Sequence, residues 1–151
     1  VDVRSAQQMF NEVKTAVDDC DVFVSVAAVA DWKVSNASKQ KIKKANGKAP
    51  QLKLEQNPDI LAWVAARKNP PFCVGFAAES EKVEENAKAK RTKKGVPLIA
   101  ANLARSALGA DENALTLFDA RGRHPLGRGA KLEQARKLLA HVAGMLQKAK
   151  R

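Results

Sequence analysis

The sequence predicts a doubly wound α/β domain: a mostly parallel β-sheet with helices on both faces, followed by a β-hairpin and a last helix. Three observations carry that prediction. Short apolar runs alternate with stretches of helical period along the first two thirds of the chain. The runs DVFVSVAAVAD (21–31), PFCVGFAAES (71–80) and PLIAANL (97–103) are nearly continuous, as strands covered on both faces require. The segment ALTLFDARGRHPLG (114–127) instead has a strand–turn–strand pattern, with the turn near Ala120-Arg121-Gly122.

Taken in order, Val1-Asp2-Val3 reads as the end of a strand. Ser5 caps a helix to about Asp18, with Met9, Phe10, Val13 and Val17 on one face. The 21–31 run follows as a central parallel strand. Residues 33–50 show neither period and read as a mobile basic flap, which QLKLEQ (51–56) returns to the body as a short strand; the flap thus spans 33–55. Asn57 is expected to cap the next helix, with Pro58 at its first position and Asp59 in its first turn, running to about Arg67. The 71–80 strand breaks into a loop at Ala77 and Ala78. A Glu- and Lys-rich helix ends near Lys94 with Gly95 as its C-cap. The final helix, about Ala130 to Lys148, repeats Leu132, Leu138, Leu139, Val142 and Met145 as a core stripe.

A chain of 151 residues with 45% hydrophobic residues fits one domain, 1–151, with a core of its own. The net charge of +11 favours anionic partners. Its distribution is uneven: seven lysines and no acid lie between Lys33 and Lys53, and five lysines with Arg91 lie between Lys82 and Lys94. Two separated basic segments suit a phosphate-rich ligand held between loops. Aromatic residues are 5% of the chain and tyrosine is absent, which argues against stacking of nucleic-acid bases. No apolar run approaches the length of a membrane span. Cys20 and Cys73 form no CxxC and are expected to be reduced, buried thiols in a cytoplasmic protein; His124 and His141 stand isolated, so no zinc site is expected.

In doubly wound sheets ligands bind beyond the carboxyl ends of the strands. This directs attention to Ala27–Asp31, Gly75–Glu79 and Ala100–Asn102, all rich in small residues that admit a ligand close to the backbone. Neither GxGxxG nor GxxxxGK[ST] occurs. Asp31 could accept from a ribose or base or help place a metal, or could be a turn residue. Lys41, Lys43 and Lys44 could close over phosphates, or be a solvated loop. Asn57, Pro58, Asp59 and Ile60 could offer helix-start N–H groups to an anion, or be an ordinary capped helix. Phe76 could stack on a ligand or belong to the core. Lys90 and Lys94 share a helical face and could reach a phosphate or only solvent.

The segments AAVADW (27–32), KIKK (41–44), NPDI (57–60), VGFAAES (74–80), AKRTKKG (89–95), AN (101–102) and DENALTLF (111–118) together resemble the phosphopantothenate–cysteine ligase family, over nearly the whole chain and in the family's order. The resemblance implies a Rossmann-like sheet and a two-step reaction. The carboxylate of 4′-phosphopantothenate attacks the α-phosphate of CTP, and cysteine's amine then displaces CMP from the acyl-cytidylate. Magnesium accompanies the CTP. By the same resemblance Asp31 and Phe76 contact the nucleotide, and Asn57 to Ile60 line its pocket. Lys41 is the catalytic flap lysine, Lys90 and Lys94 are basic nucleotide contacts, and Ala27 and Ala28 line the reaction centre by their backbone. The family is dimeric and is fused to a decarboxylase domain that holds FMN. This chain lacks the family's opening Gly-Pro-Thr strand and glycine-rich loop, so it is expected to be a truncated domain missing its N-terminal strands, binding nucleotide weakly and turning over poorly. The alternative reading is a basic nucleic-acid-binding module or a non-catalytic nucleotide-binding module.

Overall fold

Ser5 opens the first helix as its sequence predicts. Its hydroxyl accepts from the Gln8 N–H at 3.2 Å, while the Gln8 side-chain oxygen accepts from the Ser5 N–H at 3.1 Å, a reciprocal cap on α1 (Ala6–Ala16). The computed structural model describes residues 1–38, 40–41, 51–104 and 109–149. After a 3₁₀ turn at Val17–Asp19 come β1 (Val22–Ser25), β2 (Trp32–Val34), β3 (Leu54–Gln56), α2 (Ile60–Ala65) and β4 (Phe72–Glu79). Then follow α3 (Val83–Lys94), β5 (Leu98–Leu103), β6 (Glu112–Asp119), β7 (Gly122–Ala130) and α4 (Lys131–Ala149).

Five strands form one sheet in the order β1-β4-β5-β6-β7, while β2 and β3 pair separately as an antiparallel ribbon. Strands β1, β4 and β5 are parallel, with Val22 opposite Phe72 and Val74 opposite Leu98. β6 and β7 are antiparallel and joined at Ala120-Arg121 as a hairpin. Alternation along the central strands divides the core in two. Cys73, Ala77, Ile99, Ala101 and Phe118 face Leu61 and Val64 of α2 and Ala87 of α3. Val74, Leu98, Ala100 and Leu117 face Leu138 and Val142 of α4. The doubly wound α/β fold is therefore present, with its C-terminal hairpin and helix.

Several local expectations change. The 21–31 run is not central: β1 keeps only four residues, pairs with β4 alone, and has none of its residues fully buried. The small residues after Ser25 leave the sheet, so the apolar run outlasts the strand. Val1–Val3 is not a strand. Asn57 is not the cap of α2; Asp59 is, with its carboxylate accepting the Ala62 N–H at 3.1 Å, and Pro58 lies outside the helix. Asn57 instead ties two connections together, its N–H donating to the Asp31 carbonyl at 2.8 Å and its Nδ2 to the Ala30 carbonyl at 2.9 Å. β4 continues through Ala77 and Ala78 because both pair in register with Ala101 and Asn102 of β5. Cys73 is buried, but Cys20 is exposed. His124 and His141 are not isolated, since both meet the buried Asp119 carboxylate.

Gly75 and Gly95 are glycines for different reasons. A Cβ on Gly75 would meet Ile99 Cδ1 and Leu61 Cδ2 at 2.7 Å each, so its absence lets α2 lie close on the sheet. Gly95 adopts φ 64° at the end of α3, the left-handed cap the sequence predicts.

Candidate functional site

Beyond the carboxyl ends of β1 and β4 lies a cavity of about 730 Å³. Its wall takes Ala27 and Asp31 from the connection after β1, and Asn57, Pro58, Asp59 and Ile60 from the connection into α2. Phe76 and Glu79 of β4 and Lys90, Lys93 and Lys94 of α3 complete the opposite side. The cavity thus gathers the predicted site residues except Ala28 and Lys41, which are exposed and outside its wall. Lys43 and Lys44 lie outside the described residues; of the basic flap, residues 33–38, 40–41 and 51–55 are described, and its two ends pair in the β2–β3 ribbon.

The electrostatics of the wall are set by α3. Residues 90, 93 and 94 fall on one face of that helix, by the three- and four-residue spacing of helical neighbours. Lys90 donates to the Phe76 carbonyl at 2.7 Å, and Lys94 pairs with the Asp59 carboxylate. Burial works to raise the Asp59 pKa, but the Lys94 hydrogen bond, the Ala62 N–H and the charges of Lys94 and Lys93 together hold it below its ordinary value. Asp59 therefore spends its charge on Lys94 and on capping α2, and the amino end of that helix is closed by its own side chain. Asp31 and Glu79 remain as carboxylates of the wall; Glu79 accepts from Asn86 Nδ2 at 2.9 Å. The Phe76 ring packs against the core cluster under α4, so its core reading holds while its carbonyl serves the lysine.

Among the described residues of the wall, one buried side-chain atom is left without a partner. Because Asn57 Nδ2 is bound to the Ala30 carbonyl, Oδ1 points the other way, and it is buried without any hydrogen bond. An unsatisfied buried acceptor costs about 1–3 kcal/mol, which a donor from a ligand or a water would relieve. A magnesium ion carried by a nucleotide triphosphate also suits this wall. No three carboxylate, imidazole or thiol groups converge here among the described residues. Magnesium usually takes only one or two protein carboxylates besides phosphates and water, which Asp31 and Glu79 could supply.

Glu79 is the end of a strand terminus the sequence had pointed to, whereas Trp32, Asn86 and Lys93 of the wall were given no role by sequence reasoning. Lys93 was readable from the spacing it shares with Lys90. Trp32 is 59% exposed at the start of β2, an unusual place for an indole and the available signal. The third predicted strand end does not join the same cavity: Ala101 and Asn102 line a separate one of about 280 Å³ with Ala114, Thr116 and Arg123. Among the described residues no helix is long and apolar enough to cross a membrane.

Comparison with known proteins identifies the family and its fold. A protein-family profile described as the DNA/pantothenate metabolism flavoprotein C-terminal domain matches residues 1–146. The coenzyme A biosynthesis bifunctional protein CoaBC of Haemophilus influenzae is 38% identical over 151 residues, covering 98% of this chain and 38% of that protein. Its Escherichia coli K12 counterpart is 42% identical over 124 residues, covering 78% and 30% respectively. The chain spans about a third of the length of the curated relatives it matches. A crystal structure of the C-terminal domain of a CoaBC protein superposes with a TM-score of 0.78 at 30% identity, over 98% of this chain and 66% of that one. With the profile covering nearly every residue and the Rossmann-like sheet shared, the chain belongs to the DNA/pantothenate metabolism flavoprotein C-terminal domain family.

Proposed function

We propose that this chain is the nucleotide-handling part of a CTP-dependent ligase that joins 4′-phosphopantothenate to cysteine in coenzyme A biosynthesis. The relatives, by name coenzyme A biosynthesis bifunctional proteins, support the pathway. The observation that carries the reading is the cavity itself, where Lys90, Lys93 and Lys94 share a wall with Asp31 and Asn57.

In this reading the pantothenate carboxylate oxygen forms a bond to the α-phosphorus of CTP as the α–β bridging bond breaks, and pyrophosphate leaves with the electron pair. The cysteine amine then bonds to the acyl carbon and loses a proton, and CMP departs with the former carboxylate–phosphorus oxygen. Cationic side chains matter most in the first step, where negative charge grows on the leaving pyrophosphate. The α3 lysines are placed to hold the phosphates, and Lys41, on the flap, is the catalytic lysine that closes over them. Asp31 and Asn57 orient the nucleoside, with Ala27 and Ala28 leaving room at the backbone. Magnesium, when bound with CTP, neutralises the triphosphate and holds it in line for displacement. The same reading takes the working form as a cytoplasmic homodimer, with FMN held by the decarboxylase domain of the full-length protein.

Calorimetric titration with CTP, UTP and ATP in magnesium, at two salt concentrations, tests this. CTP should bind saturably and more tightly than UTP or ATP. Lys93→Ala should weaken CTP by about tenfold, ~1.4 kcal/mol. Equal binding of all three nucleotides, falling steeply with salt, would replace the ligase reading with that of a basic polyanion-binding module.

A further inference from the structure

At the opposite end of the sheet from the cavity, three side chains from three elements meet. Asp119 ends β6, His124 lies on β7 and His141 on α4. The hairpin register explains the meeting. His124 is opposite Leu117, so Asp119, two residues along β6, is its diagonal neighbour on the sheet face that α4 covers. His141 follows Leu138 by three residues and so comes down on the same face. His124 Nε2 lies 2.9 Å from one Asp119 oxygen and His141 Nε2 lies 3.2 Å from the other. The imidazole centroids are 4.8 Å apart.

We infer that Asp119, His124 and His141 form a binding site for one divalent transition-metal ion, which would tie the β6–β7 hairpin to α4. The three ligand atoms lie within 4.8 Å of one another. Around a tetrahedral zinc with bonds of about 2.0–2.1 Å the ligand atoms stand roughly 3.4 Å apart, so the rings must move inward and exchange their hydrogen bonds to the carboxylate for bonds to the ion. The two sides of the cluster allow this unequally. Asp119 is 2% exposed in its side chain, and its Oδ1 is fixed by the Arg121 N–H at 2.7 Å and the Gly122 N–H at 3.2 Å. Among the described residues its Oδ2 meets His141 alone and is available to the ion. The two imidazoles are 32% and 22% exposed, with room to turn and a path from solvent.

Two imidazoles and one carboxylate select zinc, cobalt or nickel over magnesium or calcium, which prefer oxygen alone. Three protein ligands leave the fourth position to water, and the site shares no residue with the nucleotide cavity.

The chain has only two histidines, so both can be followed in the unaltered protein. Tag-free protein, stripped with a chelator, is titrated with zinc against a chromophoric zinc indicator while the ring nitrogens are read by ¹H–¹⁵N NMR. The expected result is one equivalent of zinc per chain, with Nε2 of both histidines shifting together and saturating at that equivalent. Millimolar magnesium should not displace it. H124A and H141A, each confirmed folded by circular dichroism, should each weaken zinc by at least tenfold. Failure of zinc to bind, movement of one ring alone, or the same stoichiometry in the H124A/H141A double variant would overturn the assignment and leave an adventitious ion only.

Discussion

Strands β1 and β5 are both apolar and both parallel to β4, yet they are buried to very different degrees. Leu98, Ile99, Ala100 and Ala101 of β5 are each 0% exposed, while Val24 of β1 is 36% exposed and none of its strand neighbours is buried. The difference is position. β5 has a strand on each side and a helical layer on each face. Among the described residues β1 has β4 alone beside it, and most of the apolar residues that follow it belong to the connection over the cavity. An apolar run therefore reports that a segment can be buried, whereas its rank in the sheet depends on what pairs with it.

The two thiols should show the largest contrast between these regions. Cys73, on β4 next to β5, is 1% exposed and burial pushes its pKa up to about 11. At pH 8 roughly one such thiol in a thousand is ionised, before access is considered. Cys20, just before β1, is exposed. Mass spectrometry after alkylation of the native protein should find one label, on Cys20, with Cys73 reacting at least about a thousandfold more slowly until the protein is unfolded. Labelling of both at comparable rates would mean that the β4–β5 centre opens as readily as the β1 edge.

Truncations in the two strands sharpen the contrast in free energy. Leu98→Ala removes a fully buried side chain facing α4 and should cost about 2–5 kcal/mol in denaturant unfolding. Val24→Ala removes two half-exposed methyl groups and should cost under about 1 kcal/mol. Between them stands Gly75→Ala. The added methyl meets Ile99 and Leu61 at 2.7 Å; both are side-chain ends, of which Ile99 is fully buried while Leu61 borders the cavity. Overpacking of this kind costs about 1–3 kcal/mol. A neutral Gly75→Ala would show that α2 rides loosely on the sheet, and that the cavity floor moves with it.

How far the sequence could be read follows the same division. The central strands, the hairpin, α3 with Gly95 and the extent of the final helix were legible from apolar period and turn residues. Of that helix's expected core stripe, however, Leu138, Val142 and Met145 pack on the sheet while Leu132 and Leu139 are 64% and 55% exposed. The cap of α2 was not legible. Asn57-Pro58-Asp59 offers two capping residues, and the choice fell to Asp59 because Asn57 is spent on donating to the Asp31 and Ala30 carbonyls of the connection after β1. Most of the candidate cavity was legible from strand ends and the family's motifs. Asn86 was not, since its meeting with Glu79 depends on how β4 turns into α3. The Asp119–histidine cluster carries no signal in linear spacing. It emerges only once the hairpin register and the seating of α4 are known.

The smallest expected effect concerns the cavity wall, where Asp59 serves both fold and site. Its pKa in the folded chain lies below its ordinary value of 3.8, with burial opposed and outweighed by the Lys94 hydrogen bond, the Ala62 N–H and nearby positive charge. A carboxylate depressed in this way contributes stability that is fully present above the unfolded value and is lost as the pH falls through the folded one. The Asp59 side chain is 43% exposed, so solvent screens much of the pairing. Asp59→Asn keeps a competent cap but removes the charge that Lys94 answers. Its deficit relative to the unaltered chain should be constant from pH 7 to about 5 and shrink below about pH 4. Urea unfolding across that range reads it directly. A deficit that stays the same down to pH 3 would place the value of Asp59 in its cap alone, and would leave Lys94 free to turn wholly toward the cavity.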